Sequence, residues 1–262
     1  MIFTATAFLG GSQDVKFSLN GLVGYYDIAS YDSTAGIWRD RSGNGNDATV
    51  NGSTLTNIPT KGLLFNATNN WVTFPSFSGS TGATFIFWGD AQYNYPASQI
   101  RNSFFNKRIG SNAGFNSQFI NRINGGTSGM AYTAQTGTTN INQGISGERT
   151  GSLQYMGFKS DSSTTSRLFF GIANATSSSW SGSSSLGWTS VSSVSGSIIF
   201  PYAQPLIFGS SSFNYGSFGV PVANPTPTPY RGTVGIIAVY NRELTNEEMQ
   251  SNYLAISSSA VY

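Results

Sequence analysis

The chain has 262 residues and contains neither cysteine nor histidine. Without thiols it can form no disulfide and no thiolate metal site. Without imidazole it lacks the commonest general base and the commonest transition-metal ligand. Ser-His-Asp and Cys-His catalysis are therefore excluded. Charge is also scarce, at 9% of residues against roughly a quarter in ordinary domains. The net charge is +2 and the 13 cations are scattered, so no basic stripe points to nucleic acid. No apolar run approaches the roughly 20 residues that a bilayer-crossing helix needs. Glutamate occurs only as Glu148, Glu243, Glu247 and Glu248. Glycoside hydrolysis needs two carboxylates facing each other, and this thin supply argues against it. The sequence reads as non-enzymatic.

Glycine, serine, threonine and asparagine fill the space left by charge, beside 13 Tyr, 19 Phe and 5 Trp. Disordered chains are poor in aromatics, so this low-charge chain is expected to fold. Its length suits one large all-β domain that buries its core without metals or disulfides. The start, Met1 to Leu9, is mildly apolar but has no basic leading segment. It is read as an N-terminal strand or assembly arm over residues 1–20, and no cleaved leader is expected. Residues 257–262 are read as a tail.

Strand signals follow one another along the chain. Gly21 to Ile28 is the first, and Ile37 to Asp40 precedes two Asn-Gly-type turn elements in Arg41 to Asn46. Gly62–Asn66 and Asn70–Phe74 read as a hairpin, and Ala83 to Trp88 as a central strand. Further strands are expected at 103–109, 118–123, 130–132 and 205–209. A hairpin of 153–158 with 167–173 is expected across the turn at 161–165. The Ser-rich stretch 175–197 reads as a folded loop holding Trp180 and Trp188, and 221–229 as a rigid Pro-rich loop.

The C-terminal region has the most complete local chemistry. Thr233 to Tyr240 is an apolar, β-branched run of the kind covered on both faces. Thr245 and Glu248 have capping-box spacing, and Leu244 and Met249 the spacing of a hydrophobic staple. Glu247 and Glu248 suit the positive end of a helix dipole. They are read as helix-starting residues rather than catalytic ones.

Two blocks carry a resemblance: Trp38-x-Asp40-x-Ser42-Gly43-Asn44-Gly45-Asn46 near the start, and Tyr240-Asn241-Arg242-Glu243-Leu244-Thr245 with Glu248 near the end. Together they resemble the opening turn and closing strand-to-helix segment of laminin-G-like, concanavalin-A-like domains. The resemblance spans roughly Leu22 to Leu254. It implies a single antiparallel two-sheet β-sandwich of jelly-roll type over residues 21–256, with one short C-terminal helix. The hydrolase branch of that fold places its acids as Glu-x-Asp-x-Glu on one strand, and no such arrangement occurs here. Members often bind calcium through oxygen ligands, which makes Asp27, Asp40 and Asp47 metal candidates. The competing reading is that these acids brace the turn.

For function, two expectations stand. By analogy with compact, leaderless relatives, the first is a structural virion protein, capsid-associated or a surface fibre. It would be assembled in the host cytoplasm and would contact neighbouring subunits as an oligomer. The second is a lectin-like adhesion module at an extracellular surface, stacking glycan on loop aromatics: Tyr93, Tyr95, Trp180 and Trp188. No cofactor other than calcium is implied. Glycosylation sequons occur at Asn51, Asn66 and Asn174.

Overall fold

The computed structural model describes residues 17–59, 61–66, 70–77, 206–209 and 230–258, together with the strands between them. Side chains are described for 83–89 within those intervening strands and up to 256 in the last segment.

In chain order the first strands are β1 (Leu22–Asp27), β2 (Tyr31–Asp32), β3 (Ile37–Trp38), β4 (Ala48–Asn51), β5 (Thr56–Ile58), β6 (Gly62–Phe65) and β7 (Trp71–Phe74). The long strands follow: β8 (Gly82–Ala91), β9 (Ile100–Ile109), β10 (Ala113–Asn121), β11 (Ser128–Thr136), β12 (Thr139–Ser146), β13 (Gln154–Asp161) and β14 (Thr165–Asn174). Then come β15 (Trp180–Ser181), β16 (Trp188–Ser195), β17 (Leu206–Phe208), β18 (Phe213–Tyr215), β19 (Pro221–Ala223) and β20 (Gly232–Tyr240). The helix α1 (Asn246–Ser258) closes the described chain.

The strands form two antiparallel sheets. One runs β15-β14-β13-β8-β20-β6-β5, with β1 beside β20 and β16 beside β14. The other runs β12-β11-β10-β9-β17-β7-β4-β3-β2, with β18 and β19 attached at β9. The all-β sandwich with one C-terminal helix is thus the observed architecture.

Register explains why β20 is buried throughout. Paired residues of neighbouring strands share a face, and successive residues alternate. Tyr26, Phe87 and Ile237 form one cross-strand row. That row faces the other sheet: Tyr26 meets Trp38 and Phe74, and Phe87 stacks on Phe208 at 5.6 Å. The alternate residues Tyr25, Ile86, Trp88, Ala238 and Tyr240 occupy the opposite face. There α1 and Phe17 cover them: Trp88 meets Tyr253, and Phe17 packs edge-on against Tyr25 at 5.3 Å. All nine residues of β20 are buried because the strand lies between the second sheet and the helix. In β6, Gly62 (φ 121) runs so close to β20 that a Cβ there would fall 2.2 Å from the Val234 carbonyl oxygen.

The helix start matches its sequence signals. The Glu248 carboxylate accepts from the Thr245 N–H at 2.9 Å, and the Thr245 Oγ1 accepts from the Glu248 N–H at 3.2 Å. Leu244 and Met249 are both fully buried. Met249, Asn252, Tyr253 and Ile256 form the buried stripe, at helical spacing.

Two expectations are corrected. The segments 62–66 and 70–74 do not pair as a hairpin: β6 lies in one sheet beside β20 and β5, and β7 in the other beside β4 and β17. The chain crosses the sandwich between them, because Leu63 and Phe65 on one side and Val72 and Phe74 on the other all enter the core. Trp180 and Trp188 belong to strands rather than to a loop, since β15 and β16 both hydrogen-bond β14. The hairpin of β13 and β14 forms as expected, with Gly157 opposite Gly171.

Residues 1–16 lie outside the described residues. Residues 17–20 of the expected arm are tied to the sandwich. The Ser18 N–H donates to the Asn252 side chain at 2.7 Å, Tyr240 donates to the Ser18 carbonyl at 2.9 Å, and Arg242 Nε donates to the Asn20 carbonyl at 2.8 Å.

Candidate functional site

The Asp40 turn comes first, because it holds the acids considered for calcium. Asp40 Oδ1 accepts from the backbone N–H of Tyr25 at 3.0 Å and of Ser42 at 2.8 Å. Its Oδ2 accepts from Ser42 Oγ at 2.8 Å and from the Asn46 N–H at 2.9 Å. Asp47 Oδ1 accepts from the Asp40 N–H at 2.8 Å, and its Oδ2 lies 3.5 Å from Arg39. Asp27 accepts from the Ser30 N–H and pairs with Arg41 at 2.6 Å. Burial holds the Asp27 carboxyl above its ordinary range, and Arg41 pulls it partly back.

These oxygens are committed to donors of the protein itself. Among the described residues no group of three or more acidic side chains is arranged to hold a metal ion. The arrangement serves the edge of β1. One side of β1 pairs with β20, and the turn satisfies the other. Arg41 N–H donates to the Tyr25 carbonyl at 2.8 Å, Asn44 to the Leu22 carbonyl at 2.9 Å, and Asn46 to the Val23 carbonyl at 2.6 Å. Gly43 (φ 88) and Gly45 (φ 72) supply the left-handed backbone that this path requires. An edge strand whose polar groups are occupied cannot recruit another chain.

The same economy governs the C-terminal acids. Arg242 grips Glu248 through both guanidinium NH groups, and Ser18 Oγ donates to the same carboxylate at 3.1 Å. This contact lowers the Glu248 carboxyl to about 2, with the Arg242 hydrogen bond as the main cause. Glu248 is structural, and Glu247 lies beside it in the first turn. Glu148, Tyr93 and Tyr95 lie outside the described residues.

Of the glycan candidates, the register brings Trp180 and Trp188 together. Trp180 stands opposite Ala173, and Trp188 opposite Gly171. Ala173 and Gly171 are alternate positions of β14, so the two tryptophans belong to one face of the sheet. The rows extend across the sheet. One reads Trp188, Gly171, Gly157, Ile86, Ala238, and the next reads Trp180, Ala173, Tyr155, Trp88, Ile236. This is the face that α1 covers over β8 and β20. The other parity of β13 and β14 (Met156, Phe158, Phe170, Ile172) shares rows with Phe85 and Phe87, and Phe87 faces the second sheet.

Sequence reasoning missed Tyr155 and the Gly157–Gly171 pair as parts of this face. The signal was present in the alternation of β13, where Tyr155, Gly157 and Lys159 share one parity and the apolar residues the other. Of the three sequons, the Asn51 side chain is engaged, donating to Thr73 Oγ1 at 3.0 Å, whereas Asn66 is exposed.

No family model matches the chain, and no curated protein matches it in sequence. Solved structures do match in shape. A mutant sialidase of Trypanosoma rangeli with trans-sialidase activity superposes with a TM-score of 0.57 at 13% identity, covering 92% of this chain and 34% of the sialidase. The binding domain of botulinum neurotoxin DC, solved in complex with SialylT, gives 0.55 at 10% identity, covering 92% of this chain and 52% of that one. Domain 4 of the extracellular arabinanase AbnA from Geobacillus stearothermophilus, solved with arabinotriose, gives 0.53 at 12% identity and covers 88% and 98%. The chain thus spans about a third of the sialidase and about half of the toxin domain. At these identities the likeness establishes a β-sandwich fold.

Proposed function

We propose that this chain is a non-catalytic carbohydrate-binding module whose sugar contacts centre on Trp180 and Trp188. The observation that carries the reading is their register: two tryptophans on one face, opposite alternate positions of one strand. That spacing is roughly 7 Å, twice the rise per residue. Indole rings offer large rigid apolar faces with a polar N–H at the rim. Sugars present flat C–H faces flanked by hydroxyls, so the two surfaces are complementary. The carbohydrate class is supported by fold likeness to a toxin binding domain solved with SialylT and an arabinanase domain solved with arabinotriose. The non-catalytic part is supported by the tying of Asp27, Asp40, Asp47 and Glu248 to internal donors. The virion-subunit expectation draws no support from the fold or from these neighbours.

A glycan array with the full chain tests the proposal. The expected result is micromolar or tighter binding to a restricted set of glycans, lost in Trp180→Ala and Trp188→Ala while both variants keep the wild-type circular dichroism spectrum. No binding to any glycan, or binding that survives both substitutions, overturns it.

A further inference from the structure

We propose that Asn20 is a site of spontaneous covalent modification: it converts to aspartate and isoaspartate in the folded protein, and the conversion unties the start of the domain from α1.

An asparagine followed by glycine can close on itself. The glycine nitrogen, once deprotonated, attacks the asparagine Cγ, the Cγ–Nδ2 bond breaks and ammonia leaves. Water then opens the cyclic imide at either carbonyl and gives aspartate or isoaspartate, one water consumed for each ammonia released. Asparagine is counted among the thermally labile residues, and a glycine at the next position brings up its nitrogen with no side chain in the way. Two conditions decide whether a given pair reacts in a fold. The amide must be free to rotate, and the glycine N–H must be free to lose its proton.

Three such pairs lie among the described residues: Asn20-Gly21, Asn44-Gly45 and Asn51-Gly52. The fold holds two of them. Asn44 Nδ2 donates to the Leu22 carbonyl and to Ser42 Oγ, both at 2.9 Å. Asn51 Nδ2 donates to the Thr49 carbonyl at 3.1 Å and to Thr73 Oγ1 at 3.0 Å, and its backbone sits in β4 opposite Trp71. Asn20 differs. It is exposed, and among the described residues no hydrogen bond engages its side-chain amide or the Gly21 N–H. The pair forms the centre of a turn in which the Leu22 N–H donates to the Leu19 carbonyl at 3.1 Å and Gly21 has φ 77.

The same two residues hold the strap through their carbonyls. Arg242 Nε donates to the Asn20 carbonyl at 2.8 Å, and the Asn241 N–H to the Gly21 carbonyl at 2.9 Å. Just ahead of them Ser18 is bonded to Asn252 and Glu248 of α1. Isoaspartate routes the chain through Cγ, which lengthens the backbone by one carbon between Asn20 and Gly21. It also leaves the former Asn20 carbonyl as a free carboxylate. Arg242 lies directly over Gly21, where a Cβ would fall 2.8 Å from its Cγ, and it already grips Glu248. It then faces two carboxylates on a backbone that no longer fits.

The test is incubation of the full chain at mildly acidic and mildly alkaline pH, folded and in urea, followed by peptide mapping. Mass spectrometry reads the amide-to-acid exchange, and enzymatic methylation locates isoaspartate. In the folded chain Asn20 is expected to convert roughly tenfold faster than Asn44 or Asn51, each of which must first break two hydrogen bonds. Its rate should rise with pH, and in urea the three should convert alike. The aged protein should melt roughly 2–4 °C lower than the fresh one. Asn20→Gln, whose longer side chain closes the ring far more slowly, should neither convert nor lose melting temperature on incubation. An Asn20 that stays intact in the folded chain, or that converts no faster than Asn44 and Asn51, overturns the site. An aged protein that melts like the fresh one overturns the untying.

Discussion

The outer face of the β20 sheet has two halves built from the same kinds of residue. Over β8 and β20 it carries Trp88 and Tyr240, fully covered. Trp88 meets Tyr253 of α1, and Tyr240 accepts from Asn252 at 3.1 Å while donating to Ser18. Over β13 to β16 it carries Tyr155, Trp180 and Trp188 around paired glycines. In the first half Trp88 packs against Tyr253 and the Tyr240 hydroxyl both donates and accepts, and within β8 and β20 the rows of Ile86 and Trp88 hold no glycine. In the second half the register sets Tyr155, Trp180 and Trp188 in rows with Ala173, Gly157 and Gly171. Composition alone does not separate a core tryptophan from a binding one. The rows they join and the element that lies over those rows do.

Several substitutions would break or sharpen this contrast. Trp88→Ala removes a buried ring shared by sheet and helix and should destabilise by about 3–5 kcal/mol, measured by denaturant unfolding. Trp188→Ala should cost far less stability; an equal loss would show that both halves are core. Asp40→Ala orphans the N–H groups of Tyr25, Ser42 and Asn46 and should cost about 2–3 kcal/mol. It should also free the edge of β1, raising self-association in sedimentation or light scattering.

Glu248→Gln should cost about 1 kcal/mol at neutral pH through loss of the cap and the Arg242 contact. Its pH signature is specific. The folded carboxyl sits at about 2, below its ordinary value of 4.5, so its contribution is complete above pH 4.5 and fades as pH falls from there toward 2. The variant should lack that part of the acid slope in its melting temperature, and an unchanged slope would refute the assignment. Asp27 works in the opposite sense. Its raised carboxyl contributes most at low pH, and that contribution fades as pH rises through its folded value. Arg39→Ala should change stability least, within about 0.5 kcal/mol, because Arg39 meets Asp32 and Asp47 on the exposed surface.

What could be read from the residues was what local chemistry decides. The Thr245–Glu248 box, the Leu244–Met249 staple and the Asp40 turn each close within a few positions, so their residues declare them. The Gly62–Phe74 stretch misled because an Asn-rich connection looks the same whether the chain turns back within one sheet or crosses to the other. The choice is made by Val234 and Phe208, which pair with Leu63 and Val72 from far along the chain. Trp180 and Trp188 stood out as residues that a Ser-rich tract does not explain, but their strands were hidden. Serine gives little strand signal, and the pairing with β14 is what holds them. Tyr155 was hidden for a related reason: a single strand does not reveal which of its two parities meets the core.

The most direct measurement sets the Trp180→Ala, Trp188→Ala double variant beside Trp88→Ala, scoring each for glycan-array binding and for unfolding free energy. The expected result is that the double variant loses sugar binding and keeps most of its stability, whereas Trp88→Ala loses stability and, when folded, still binds. A double variant that unfolds as readily as Trp88→Ala, or that binds sugar like the wild type, would contradict it.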